Sequence, residues 1–168
     1  MTIRDAERED LVSITDIYND AILHTTAVYD YEPHSLDSRI AWFENRRSGG
    51  FPVIVYEVGG AVAGFASFGP FRPHQGYRYT VEHSLYVHRE YRKRGIGRAL
   101  LERLIELAES SGYAVLVGGI DAANVESIRL HERFGFEHAG TIPKAGCKFG
   151  RWLDLAFYHR QLRGPASP

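Results

Sequence analysis

The sequence predicts a mixed α/β (α+β) fold, with one largely antiparallel sheet of about seven strands flanked by about four helices in the order β α α β β β α β α β β. Three observations predict it. Two short, β-rich apolar runs meet at Gly59-Gly60, a hairpin signal. Gly95–Ser111 carries apolar residues at helical spacing directly after a strand-like run. A further strand and helix follow, and the chain closes on two more strand-like runs.

Thr2–Arg4 reads as a short strand. Glu9–His24 follows as a helix, with Leu11, Ile14, Ile17, Ala21 and Ile22 on its inner face. The stretch from Thr25 to Ser35 is a loop rich in Tyr, Pro and His. Ser35 is placed to cap a second helix to about Arg47, whose apolar row is Leu36, Ile40 and Phe43. Ser48-Gly49-Gly50 ends it. Phe51–Val58 and Ala61–Phe68 form the hairpin, and Gly69–Gly76 is a loop holding two prolines. In Tyr79–His88, alternation sets Val81, His83, Leu85 and Val87 on one face and Glu82, Ser84, Tyr86 and His88 on the other.

Gly95–Ser111 is the clearest helix. Ile96, Leu100 and Leu104 form one row and Leu101, Ile105 and Ala108 its neighbour. Gly112 suits the C′ position. Ala114–Ile120 reads as a short strand buried on both faces, Asn124–Phe134 as a helix stopped by Gly135, and Phe136–Cys147 and Trp152–Tyr158 as strands around Gly150. One domain over residues 1–163 is expected, with residues 164–168 (Gly-Pro-Ala-Ser-Pro) a disordered tail.

Composition excludes several classes of function. The formal charge of −1 offers no bulk attraction for nucleic acid or an anionic membrane. No stretch approaches the roughly 20 apolar residues of a membrane span, and the N-terminus shows no apolar leader core. A single cysteine, Cys147, excludes an intrachain disulfide and suits the cytoplasm; it reads as a small buried residue. The eight histidines show no His-Glu-x-x-His or other ligand spacing, so no metal is expected.

Arg92-Lys93-Arg94-Gly95-Ile96-Gly97-Arg98 sets cations where the helix dipole is already positive. A bound polyanion resolves that conflict, because phosphate oxygens take both the amides and the cations. The stretch lacks the Gly-Lys-Ser/Thr of a P-loop, and Leu100 stands where a dinucleotide fingerprint needs its third glycine. Downstream, Asn124, Ser127 and His131 share one helix face, about 10 Å from end to end.

Arg92-x-x-Gly95-x-Gly97 resembles the pyrophosphate motif of the GNAT N-acetyltransferase superfamily, and Asn124-x-x-Ser127-x-x-Leu130-His131-x-x-Phe134-Gly135-Phe136 resembles its later helix and Gly-Phe turn. Gly69-Pro70-Phe71-Arg72-Pro73, Thr80-Val81-Glu82-His83-Ser84 and Lys148-Phe149-Gly150-Arg151-Trp152 narrow the likeness to the phosphinothricin and methionine sulfoximine N-acetyltransferase branch. The resemblance implies acetyl-CoA as donor, held by Arg92, Lys93, Arg94, Gly95, Ile96, Gly97, Arg98, Asn124, Ser127 and His131. It also implies that backbone N–H groups near Leu85, Tyr86 and Val87 polarise the thioester. The acceptor is then the α-amine of a small amino acid such as methionine sulfone, methionine sulfoximine or phosphinothricin, attacked directly in a ternary complex.

Glu82 is the candidate general base, a carboxylate set mid-strand where it is locally disfavoured. His131 occupies the place where many superfamily members carry an acidic tyrosine. It is the candidate acid, or else a residue that positions the cofactor or Glu82. Arg72 suits bidentate carboxylate binding, and Phe71, Pro73, His74, Thr80, His83 and Ser84 complete the expected acceptor contacts. His83 points away from Glu82 unless a bulge intervenes. The branch implies a homodimer. Two other functions fit the same motifs: acetylation of a protein or peptide N-terminus, and a non-catalytic CoA sensor.

Overall fold

The computed structural model describes residues 1–167. Seven strands follow the order β1-β2-β3-β4-β5-β7-β6 in one mostly antiparallel sheet, with four α-helices. They are β1 (Thr2–Asp5), α1 (Leu11–His24), α2 (Leu36–Ser48), β2 (Val53–Val58), β3 (Ala61–Pro70), β4 (Thr80–Val87), α3 (Ile96–Ser110), β5 (Val115–Asp121), α4 (Val125–Arg133), β6 (Glu137–Lys148) and β7 (Arg151–Gln161). The element order is the one the sequence predicts. Two compact units interleave along the chain: Met1–Gly69 with Ser84–Leu104, and Pro70–His83 with the chain from Ile105 on.

In the first unit, β1 pairs with β2 and β2 with β3, both antiparallel. Gly59 and Gly60 turn the second pair with φ of 59° and 83°, the left-handed values a two-residue hairpin requires. Leu11, Ile14, Ile17, Phe43, Val53, Val55, Val62 and Phe65 form the core. The Ser35 hydroxyl accepts from the Ser38 N–H and caps α2. One detail of α2 departs from the pattern. Leu36 is exposed, and Arg39 takes the buried place between Tyr18 and Trp42. A planar guanidinium can lie between two rings where an aliphatic chain would need a closed pocket.

In the second unit, β5 runs parallel to the start of β4, in the register Thr80↔Val115 to Glu82↔Val117, and antiparallel to β7. Helices α3 and α4 both end on a left-handed glycine, Gly112 at φ 80° and Gly135 at φ 75°. In each case the glycine's own N–H and the next one close onto the last turn: Gly112 and Tyr113 donate to the Glu109 and Ala108 carbonyls, and Gly135 and Phe136 to those of Glu132 and His131. β5 is not buried throughout, because Gly119 is exposed. Cys147 is exposed as well, since β6 is the outermost strand and lacks a neighbour on one side. Gly164–Ser167 carry no helix or strand, yet Gly164 stands against Ala114. Of the tail expected to be disordered, Pro168 lies outside the described residues.

Candidate active site

The predicted site residues fall into two sets, each within one unit. In the first unit, β4 ends at Val87 and a short 3-10 turn, Arg89–Tyr91, leads to the cationic stretch. Lys93 and Gly95 both have positive φ, 62° and 81°. Lysine in this conformation costs about 1–2 kcal/mol. Alternating left-handed residues gather successive N–H groups into an anion-binding concavity. A Cβ on Gly95 would meet nothing within 4 Å, so the glycine is required by the backbone angle and not by space. The Gly95 carbonyl accepts from the Ala99 N–H at 3.0 Å, which leaves the N–H groups of Ile96, Gly97 and Arg98 without intrahelical acceptors.

Arg92, Lys93, Arg94 and Arg98 are exposed around these amides. Arg92 is braced from behind: its Nε donates to the Val87 carbonyl and its Nη2 lies 3.5 Å from Asp20. Arg94 lies over the Tyr91 ring at 5.3 Å. Strained backbone donors ringed by cations fit a pyrophosphate-bearing group. On β4, Tyr86 packs against Tyr18 and Phe65, and burial raises its phenol above the ordinary range. Gly64 permits this approach, because a Cβ there would stand 2.9 Å from the Tyr86 carbonyl.

The second unit holds Glu82. Its carboxylate is half-buried and, among the described residues, makes no hydrogen bond or ion pair. Burial pushes its pKa up, while the charge of Arg72 pulls it back. A Cβ on Gly119 would stand 3.3 Å from Glu82 Oε1, so this exposed glycine keeps the carboxylate uncovered. Arg72 is exposed. Its guanidinium lies 4.2 Å from the Phe71 ring centroid and donates one N–H to the Phe71 carbonyl. Phe71 in turn meets Tyr77 edge-on. Pro73 and His74 are exposed in the same loop, and Thr80 is half-buried at the start of β4.

His83 and His131 do not join this group. Gly118 and Gly119 alternate along β5, and a Cβ on Gly118 would stand 2.9 Å from His83 Nε2 and 3.5 Å from His131 Nε2. The two histidines therefore lie on the opposite face of the sheet from Glu82. That is the face on which strand alternation set His83 in the sequence. Their rings stack at 12°, with Phe136 edge-on to both.

Hydrogen-bond chemistry sets the tautomers. His131 Nδ1 lies 2.7 Å from the Ser127 carbonyl, which can only accept, so Nδ1 carries the hydrogen. His131 Nε2 is then bare and accepts from His83 Nε2 at 3.2 Å. That leaves His83 Nδ1 bare, buried and without a partner. Asn124 caps α4 by accepting from the Ser127 N–H, so Asn124, Ser127 and His131 do share one helix face, running from exposed to buried.

Residues 11–136 match the model of the Acetyltransferase (GNAT) family. The chain belongs to that family. This acetyltransferase is 49% identical over 168 residues to the L-methionine sulfoximine/L-methionine sulfone acetyltransferase of Salmonella typhimurium, covering 100% of this chain and 98% of that one. It is 36% identical to the phosphinothricin N-acetyltransferase of Streptomyces viridochromogenes, over 99% of this chain and 90% of that one. A Salmonella typhimurium acetyltransferase solved with its cofactor acetyl-CoA matches with a TM-score of 0.96 and 49% identity, over 99% of this chain and 96% of that one.

Sequence reasoning missed three features of this GNAT acetyltransferase. The adjacent glycines Gly118 and Gly119 make room for His83 on one face and Glu82 on the other. Two neighbouring glycines inside a strand were a readable signal of close approach. Asp121 shapes the turn into α4, its carboxylate accepting from the Ala123 N–H and its carbonyl from the Asn124 N–H. The third feature is the buried Arg39.

Proposed function

We propose that this chain transfers the acetyl group of acetyl-CoA to the α-amine of a small amino acid or analogue of the methionine sulfone, methionine sulfoximine or phosphinothricin type. The observation that carries this reading is Glu82, a half-buried carboxylate with no hydrogen-bond or ion-pair partner among the described residues, beside the exposed Gly119. The named activities of the relatives support the acceptor class.

Acetyl-CoA, when bound, supplies the thioester and the leaving thiol. By the family resemblance, the cations and amides of Arg92–Arg98 would hold its pyrophosphate, Asn124 and Ser127 would bind its arm, and N–H groups of Leu85–Val87 would polarise the carbonyl. Arg72 receives the acceptor's α-carboxylate as a bidentate pair. Glu82 takes one proton from the α-ammonium, whose nitrogen then bonds the acetyl carbon as the C–S bond breaks. The second nitrogen proton ends on the thiol.

His131 has one hydrogen, already bound to Ser127, and its bare Nε2 faces His83. We therefore read it as a residue that packs α4 against β4 and holds the arm. A thiol with pKa near ~8.5 can depart without an acid. Residues 1–163 act as one domain, since the chain passes between the two units three times and strand β4 and helix α3 are each shared. Exposed Ile142, Phe149 and Trp152 on the β6–β7 hairpin suit a homodimer contact. Among the described residues no helix is long and apolar enough to cross a membrane, and the single cysteine suits the cytoplasm.

The test is a thiol-release assay over a panel of free amino acids and short peptides. Turnover of methionine sulfone or phosphinothricin, lowered about 10²- to 10⁴-fold at neutral pH by Glu82→Gln, is expected. Faster turnover of peptides than of every free amino acid would replace the acceptor assignment.

A further inference from the structure

Within the second unit, Glu82 shares its side of the sheet with two apolar side chains of β7. A Cβ on Gly119 would stand 3.3 Å from Glu82 Oε1, 3.4 Å from Leu155 Cδ1 and 3.8 Å from Phe157 Cε1. The three side chains therefore converge on the one space that the missing Cβ leaves. Sheet register is the cause. Gly119 pairs with Phe157 and Asp121 with Leu155, while Glu82 pairs with Val117. Paired and alternate residues share a face, so Leu155 and Phe157 rise on the same side as Glu82.

β7 is an inner strand, flanked by β5 and β6, and its Leu153, Ala156 and Tyr158 are buried. Leu155 and Phe157 are only half-buried, and Gly119 between them and Glu82 is exposed. Their exposure therefore belongs to an open face and not to a sheet edge. Apolar carbon beside a carboxylate displaces water and disfavours its charge. This agrees with the burial that raises the Glu82 carboxyl against the pull of Arg72. By register, Asp121 and His159 are the other titratable groups on this face of β5 and β7.

We propose that Leu155 and Phe157 form the wall on which the acceptor's side chain lies while its amine meets Glu82, and that they select acceptors by the apolar length of that side chain. The proposal deepens the amino-acid N-acetyltransferase reading above and rests on it. Each methylene laid against such a wall is worth about fourfold in affinity. Acceptors with long apolar side chains gain from it, and alanine gains little.

The experiment compares wild type with Phe157→Ala, Phe157→Leu and Leu155→Ala, using norleucine, methionine sulfone and alanine as acceptors. The Glu82 carboxyl is titrated in parallel by carbon-13 NMR. In Phe157→Ala the ratio of kcat/KM for norleucine to that for alanine should fall about 5- to 50-fold. Leu155→Ala should lower the ratio less, and Phe157→Leu should keep most of it. The Glu82 midpoint should move to lower pH in Phe157→Ala, because water reaches the carboxylate.

Equal losses for all acceptors, or none, overturn the proposal. So does a Glu82 midpoint that stays put in Phe157→Ala. If Phe157→Ala fails to fold, the ratio and the midpoint in Leu155→Ala decide. Wild type that acetylates peptides alone, preferring N-terminal norleucine to alanine until Phe157→Ala removes the preference, would overturn the acceptor reading and keep the wall. Free amino acids acetylated in ratios blind to both residues would do the reverse.

Discussion

The Nε2 atoms of His83 and His131 lie 3.2 Å apart, and one hydrogen serves both. The pair is neutral. Burial, followed by the proximity of His131, takes His83 down to about 3, and burial lowers His131 although the Ser127 carbonyl pulls the other way. Unfolding returns His83 to its ordinary 6.5. Between those values the unfolded chain binds more protons than the folded one. Stability from this site is therefore complete above pH 6.5 and lost as pH falls toward about 3.

Urea unfolding at a series of pH values checks this. The free energy of unfolding should fall on acidification with a slope approaching ~1.4 kcal/mol per pH unit for one histidine. In His83→Phe the slope should be shallower. An unchanged slope would show that the acid sensitivity arises elsewhere.

Glu82 and Arg72 make a second pH prediction. Burial raises the carboxyl and Arg72 lowers it, so removing Arg72 must raise it further. The acid limb of kcat/KM for a small amine lacking a carboxylate should then move to higher pH in Arg72→Met. With amino acids the KM should rise as well. Glu82→Gln should cost about 10²- to 10⁴-fold in kcat at neutral pH. The loss should shrink at high pH, where the amine needs no base. A constant loss across pH would deny Glu82 the proton-accepting role.

How far the sequence can be read depends on where each residue's partners lie. The rows of α3 were legible because Ile96, Leu100 and Leu104 repeat within one element, and all three are buried. Glu82 was legible because a carboxylate mid-strand contradicts its local environment. Arg39 was not, since the rings that enclose it come from Tyr18 on α1 and Trp42 on its own helix, and charge alone argues for exposure. The pairing of His83 with His131 spans 48 positions and needs the β4–β5 register to be known. Cys147 was misplaced because no local pattern says which strand ends the sheet, and β6, next to last along the chain before β7, is the outer one.

The cationic turn predicts a separation of backbone from charge. Gly95→Ala forces a methyl-bearing residue to φ 81°, at a cost of about 1 kcal/mol, and misdirects the amides. The KM for acetyl-CoA should rise, with a small drop in melting temperature. Lys93→Gly should relieve strain at φ 62° and raise the melting temperature while removing a cation. Its CoA affinity should be weaker at low salt and approach wild type as salt screens the charge. A lowered melting temperature for Lys93→Gly would show that the lysine side chain stabilises the turn.

The two glycines of β5 offer a direct contrast. A Cβ on Gly118 would stand 2.9 Å from His83 Nε2, in a buried stack closed by Phe136 that cannot recede. Gly118→Ala should cost about 1–3 kcal/mol. On Gly119 the Cβ would stand 3.3 Å from Glu82 Oε1, the far end of a flexible side chain, and in ordinary contact with Leu155 and Phe157 at 3.4 Å and 3.8 Å. Gly119→Ala should leave the melting temperature nearly unchanged and lower kcat, because it shifts the carboxylate and crowds the place of the amine. Calorimetric melting and thiol release on the same two proteins decide the matter. If Gly118→Ala is as stable as wild type, the histidine stack is looser than this geometry requires. If Gly119→Ala turns over at the wild-type rate, Glu82 does not act from the position it holds here.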